Sequence, residues 1–249
     1  MIEVYRIPIP KDRLQALSRD ERVLLLLLGY VSNQISLLQK LVVFATNHTP
    51  ERDFEQHCTG VQTQIIVRLI IGDLNEAWRL ITTRFIENPL QREYLEQLDN
   101  PGRAAFERLK RQFGGALFAS IRNRFAYHYP RTDEAEEAFH TAVADESVAD
   151  LWNVYFSHHG FNSVFLLSDL IYLHGIKTIT GEADLITAQT KLMPQVTQVS
   201  LDVIEFARSF FAAVWLKHFG EAIDARDIVR VDNAPKASDV VLPFFVELE

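Results

Sequence analysis

The sequence has a single cysteine, Cys58, so it can form no internal disulfide, and a reducing compartment is expected. Glycine and proline are scarce, at 10 and 9 in 249 residues, which leaves room for long unbroken helices. Repeats, low-complexity tracts and Ser/Gly linkers are missing, so one helical domain over residues 1–249 is expected. No Lys-Ser/Thr follows the Gly114-Gly115 pair, which excludes a Walker-type phosphate loop there. The longest strongly apolar run, Val23–Leu28, gives way to Gly29, Tyr30 and Ser32–Gln34. That run is well short of the roughly 20 residues that span a bilayer. The opening MIEVYRIPIPKDR lacks the charged start and apolar stretch of a secretory signal. These absences predict a cytoplasmic protein without a membrane partner. Positive charge is also short: a net charge of −8 argues against a surface coated for nucleic acid.

What is present is helical periodicity. Ser18-Arg-Asp-Glu21 has the Ser-x-x-Glu spacing of a capping box. After it, Val23, Leu24, Leu27, Leu28, Val31, Ile35, Leu38 and Val42 recur at three- and four-residue intervals, predicting a helix that ends near Asn47–Pro50. A second helix is expected from about Gln56 to Glu87, with Ile66, Ile70, Leu74, Ala77, Ile81 and Phe85 on one stripe and Asn88-Pro89 as its stop. A short helix over Leu90–Leu98 closes at Asn100-Pro101-Gly102, and Pro101 suits the first turn of a helix running on to about Tyr129. Leu151–Gly175 is dense in Phe, Leu, Ile and Tyr and reads as a buried helix. A last helix is expected from about Glu182 to Gly220, bent near Pro194. In the C-terminal extension, residues 221–249, "IVRV" and "VVLPFFVELE" are β-branched and aromatic around a turn-like "DNAPKASD". With "IEVYRIPI" they can make a small sheet that pairs the two ends of the chain. The expected fold class is all-α: a bundle of long antiparallel helices with a peripheral β element.

Charge is unevenly spread. Between Arg103 and Arg131 there are seven Lys or Arg and one Glu, or +6, whereas Thr132–Asp150 holds seven acids and no Lys or Arg. Two readings are open, an anion-binding site with its own screen or two helices pairing their charges. At the end of the basic segment stands SIRNRFAYHYP, Ser120–Pro130. Pro130 disfavours helical geometry at Tyr129, so His128 falls in or beside the last helical turn. The negative end of the helix dipole favours a protonated imidazole there, and a His titrating near neutrality can give or take a proton. Arg122 offers a permanently charged fork of donors suited to phosphate oxygens. Six residues along a helix are about 9 Å of rise and about 240° of rotation. Arg122 and His128 therefore converge on one substrate only if the helix deforms or a second copy faces the first across a two-fold axis. Phosphodiester cleavage by acid–base work wants two proton-transfer groups, and a symmetric dimer supplies both.

Arg122-Asn123, four further residues and His128, near a helix end in an all-α chain, resembles the signature of the HEPN superfamily. The resemblance covers this motif and its helical setting. It implies a helical bundle that dimerises through the motif helices, and a metal-independent endoribonuclease of the kind found among toxins and in abortive-infection phage defence. Arg122 and His128 would be the catalytic pair and Asn123 a supporting polar residue, with no cofactor. The 2′-OH of RNA would attack and leave a 2′,3′-cyclic phosphate. Arg124, Arg131, Tyr127 and Tyr129 are the candidate RNA contacts. Some toxin members carry, two residues after the His, a Tyr that a partner antitoxin modifies; here that position is Pro130. The superfamily also holds binding modules without catalysis, and a non-catalytic helical dimerisation or nucleotide- or protein-binding module is the alternative.

Other features carry less. Arg103, Arg108, Lys110 and Arg111 could extend a phosphate track or simply form a solvated face. Glu137-Ala-Phe-His140 has Glu-x-x-His spacing, but a di-iron bundle needs a second copy and two more Glu. His48 and His57-Cys58 lack zinc spacing. His158-His159 beside Gly160 reads as a helix irregularity or a polar pair in the core. Gly114-Gly115 permits close helix packing or a bend, which could help to aim Arg122. Trp152, Tyr155, Phe156, Phe161 and Phe165 could stack bases, but at helical spacing they are expected in the core.

Overall fold

The computed structural model describes residues 2–115, 117–121, 130–158, 160–182, 185–220 and 227–247. The described chain is mostly α. In order it forms β1 (Ile2–Arg6), α1 (Lys11–Ala16), α2 (Arg19–Thr46), α3 (Asp53–Ile81) and a π turn over Thr82–Ile86. Then come α4 (Leu90–Tyr94), α5 (Asn100–Phe113), α6 (Leu117–Ile121) and α7 (Thr132–Val143). A hairpin of β2 (Val154–Tyr155) and β3 (Val164–Phe165) leads into α8 (Leu166–Thr180), α9 (Leu185–Phe219) and β4 (Asp227–Val231). Contacts divide the chain into two units: Met1–Ser36, Asp73–Gly114 and Gln198–Lys236 in the first, Leu37–Gly72, Gly115–Thr197 and Ala237–Glu249 in the second.

The first unit has an aromatic core. Phe85, in the π turn, sits edge-on to Phe106 of α5 and to Phe206 and Phe210 of α9, at 5.5, 5.1 and 5.9 Å between ring centroids. All four are fully buried, and edge-to-face geometry adds to the area they bury. The start of α5 is pinned to α9: Asp99 accepts from the Gly102 N–H at 2.8 Å and from the Ser209 hydroxyl at 2.8 Å. Gly102 is required there, because a Cβ would lie 2.1 Å from Ser209 Oγ. β1 pairs antiparallel with β4 in the register Ile2↔Val231 to Arg6↔Asp227, closed by an Arg6–Asp227 ion pair at 2.8 Å. The expected pairing of the chain's two ends is present.

In the second unit, Cys58, Val61, Val164 and Leu166 form a buried cluster flanked by Phe54, Tyr155, Phe244 and Phe245. The C-terminal segment is tied down without strand pairing. The Leu242 N–H donates to the Phe44 carbonyl at 2.9 Å. The Asn162 carboxamide donates to Val246 O and accepts from Val246 N–H, at 2.6 and 3.0 Å.

The capping box forms as expected, with Ser18 Oγ accepting from Glu21 N–H at 3.3 Å and Glu21 Oε2 accepting from Ser18 N–H at 2.8 Å. Leu24, Leu28, Val31, Ile35 and Val42 of α2 are buried, but Leu27 is 40% exposed, so the buried stripe is narrower than the periodicity implies. By length and composition α2 is also the one helix among the described residues able to cross a membrane. The α3 stripe from Ile66 to Phe85 is buried throughout.

Three expectations need correcting. The helix expected over 101–129 breaks after Phe113, where Gly114 and Gly115, with the least to lose from leaving helical geometry, separate α5 from α6. Leu151–Gly175 is not one helix. A 3-10 turn and the β2–β3 hairpin precede α8, because β-branched and aromatic residues alternate around Gly160. Four of the five aromatics expected in the core are accordingly exposed, Phe156 at 76% and Phe161 at 85% with Trp152 and Phe165, whereas Tyr155 packs half-buried against the Cys58 cluster. Finally, the described part of "VVLPFFVELE", residues 240–247, forms no strand, since Pro243 cannot donate to a ladder.

Candidate functional site

Most of the motif lies outside the described residues, namely Arg122, Asn123, Arg124, Tyr127, His128 and Tyr129. Its two ends are described, and both belong to the second unit. Ile121, the last residue of α6, is fully buried. Pro130 and Arg131 lead into α7, whose first turn carries Asp133 and Glu134. Arg131 Nη2 pairs with Asp133 at 2.8 Å, and Glu134 Oε2 accepts the Arg131 N–H at 3.1 Å.

Three of the four basic residues of α5 are engaged by carboxylates. Arg103 meets Glu96 at 3.4 Å and Lys110 meets Glu107 at 3.4 Å. Arg108 reaches across to α9, where its guanidinium grips Asp202 through Nε at 3.0 and 3.1 Å and Nη2 at 2.7 Å. Asp202 is almost wholly buried, so this fork is a structural tie within the first unit. Three members of the supposed phosphate track therefore face carboxylates already.

A larger polar constellation in the first unit was legible only in part. Glu21, known from the sequence as a capping residue, is 1% exposed and is the hub of a buried network. Its Oε1 accepts from the Tyr94 hydroxyl, from Lys217 Nζ at 3.1 Å and, at 2.9 Å, stands against His218 Nε2. Lys217 also pairs with Glu93. Burial pushes the Glu21 carboxyl up, but the bonds from His218, Tyr94 and Ser18 together outweigh it and hold the group well below the usual carboxylate range. Burial likewise raises the Tyr94 phenol, which stays a donor at any physiological pH. With donors on both its oxygens, Glu21 has little capacity left to act as a base. The network is a pin between the start of α2 and the ends of α4 and α9.

The second unit contains a cavity of about 630 Å³. Its walls come from α3, α7, α8 and the start of α9, with the 3-10 turn over Glu146–Leu151. On α3 the lining residues are Gln56, His57, Gly60, Val61 and Gln64; on α8 they are Asp169, Leu170, Leu173, His174 and Lys177. Both sets follow i, i+1, i+4, i+5, i+8, the spacing of one helix face. Polar residues on a face that helix packing would otherwise fill were the available sequence signal for this site. Asp169 meets Arg68 at 3.4 Å, and Asp145 meets Lys177 at 3.4 Å. Burial pushes the Asp169 carboxyl up, and the neighbouring Arg68 only partly offsets it. Gln64 Oε1 and Gln189 Nε2, also in the wall, are buried with no hydrogen-bond partner. Among the described residues, no group of three His, Cys, Asp or Glu is placed to hold a metal ion. His140, the end of the Glu-x-x-His stretch, instead meets Glu136 at 3.8 Å on the exposed side of α7.

Comparison with protein-family models, with curated proteins and with solved structures returned no match.

Proposed function

We propose that the chain is a metal-independent endoribonuclease of the HEPN type, working as a cytoplasmic homodimer in phage defence or as a toxin. The observation that carries this reading is the Arg122-Asn123-x4-His128 motif. A mostly α fold, a motif bounded by helices α6 and α7, and Pro130 directly after it support the reading. In the proposed step one His128 removes the proton of a ribose 2′-OH, O2′ bonds to phosphorus, and the P–O5′ bond breaks. The partner subunit's His128 returns a proton to the departing O5′. Arg122 stabilises the crowded phosphorane, and Asn123 orients the substrate or the imidazole. Positioned acid–base catalysis contributes roughly 10²–10⁴-fold, and removing one pre-aimed donor costs about 10²–10³-fold. An antitoxin or other regulatory protein would be a natural partner of such an enzyme.

Labelled RNA incubated with the purified protein and EDTA tests the reading. Cleavage should survive chelation, fail on a 2′-deoxy substrate, and stop in His128→Ala and Arg122→Ala. Equal behaviour of wild type and both variants would refute it. The 630 Å³ cavity favours a second reading, a helical module whose work is to bind a small ligand.

A further inference from the structure

The cavity in the second unit has the marks of a built site rather than a packing fault. Three residues on its wall are as small as residues can be: Gly60 on α3, and Ala138 and Ala142 on α7. A Cβ added at Gly60 would meet nothing within 4 Å, so the position faces open space. A larger side chain at any of the three would begin to fill this half-open cavity. The volume lies within the range of roughly 300–1,000 Å³ typical of small-molecule pockets.

Its charge selects among ligands. The wall carries Asp145, Asp150 and Asp169 against Lys177, three minus one, for a formal −2 with His neutral. The cation nearest to Asp169 is poorly placed to satisfy it. Arg68 stands 3.4 Å away, at the limit of a hydrogen bond, with its guanidinium over the Tyr172 ring at 4.6 Å from the centroid. Asp169 is nonetheless only 14% exposed at its side chain, so much of its hydration is lost. A phosphate or carboxylate ligand would meet like charge. A cationic head would find a desolvated, under-paired carboxylate, and Val61, Leu170 and Leu173 give it apolar wall alongside.

We propose that this cavity binds a small organic cation, a primary amine or guanidine on an apolar body, with its head on Asp169 and its body against Val61 and Leu173. The proposal rests on the binding-module reading of the cavity and not on the ribonuclease reading. Its failure would leave the motif's chemistry untouched, because the test uses no RNA.

The test is thermal unfolding of the full chain with three amines, namely tyramine, agmatine and spermidine. Two isosteres of tyramine join them, tyrosol (neutral alcohol) and 4-hydroxyphenylacetate (anion). At least one amine at millimolar concentration should raise the melting temperature by a few degrees, the alcohol less, and the carboxylate not at all. Asp169→Asn should weaken the amine about tenfold by titration calorimetry while leaving the alcohol unchanged. Gly60→Leu and Ala142→Leu, checked for native circular dichroism, should abolish binding by occupying the void. The proposal is overturned if no amine shifts the transition, if the carboxylate matches the amine, if Asp169→Asn binds the amine as wild type does, or if a folded cavity-filling variant keeps its affinity.

Discussion

Replacing Glu21 with Gln probes the buried network at its hub. The carboxylate accepts from Tyr94, Lys217 and the Ser18 N–H and stands against His218, while being 1% exposed itself. Removing one partner of a buried ion pair typically costs about 3–5 kcal/mol, because the other charge is left behind. Lys217 keeps Glu93 and is 31% exposed at its side chain, so the low end applies, about 3 kcal/mol. For a chain of this size, where about 2–4 °C accompanies each kcal/mol, the melting temperature should fall by about 6–12 °C. Tyr94→Phe removes a single hydrogen bond and should cost about 1–2 kcal/mol. In the double variant the two losses should add to less than their sum, since they share one contact. The pH dependence carries the sign. Glu21 has its folded pKa pushed below the ordinary 4.5, so its stabilisation is complete above about pH 4.5 and fades as pH falls further. Urea midpoints of wild type and Glu21→Gln, taken at neutral pH and stepwise below pH 4.5, check both points. A constant difference down to the most acid condition, or a neutral-pH loss under about 0.5 kcal/mol, would refute the reasoning.

Three further outcomes follow from the geometry. Gly102→Ala should destabilise by about 2 kcal/mol or more, because its Cβ would lie 2.2 Å from the Ser209 Cβ. Ser209→Gly should recover part of that loss in the double variant, read by chemical denaturation. Cys58 is buried and its thiol is pushed up to about 11 by burial, so an aromatic disulfide reagent at pH 7 should label it only at the rate of unfolding; immediate labelling would contradict the fold. Phe156→Ser and Phe161→Ser, at side chains 76% and 85% exposed as residues, should change stability by less than about 0.5 kcal/mol.

The sequence made the long helices plain where local signals agreed. Ser18 and Glu21 mark the start of α2, Asn88-Pro89 the stop after α3, and Pro101 the start of α5, where Asp99 takes the cap. It was misleading where composition and geometry part. The run from Leu151 is as apolar as a buried helix, yet its first half folds as a turn and a hairpin with Phe156, Phe161 and Phe165 exposed, and only Gly160 hinted at the turn. Pro243 should have counted against a strand in the C-terminal segment. The hub role of Glu21 depends on Lys217 and His218, separated from it by 196 and 197 residues, and no local pattern reports such a partner. For the cavity, the signal is split between two helices distant in sequence: Gly60 with Gln64, and Asp169 with Lys177, are polar or small positions on faces that burial would otherwise fill.

The pairing of β1 with β4 has a consequence for synthesis. Ile2 and its partner Val231 lie 229 residues apart along the chain, so β1 is synthesised long before β4. At about 5–20 residues per second, the first strand waits some tens of seconds with its backbone donors and acceptors open. An unpartnered strand edge is a template for pairing with another chain, so during that interval β1 is open to pairing with the wrong partner. The charges flanking that segment's apolar residues, Glu3 and Arg6, are placed where gatekeepers against such pairing would be needed.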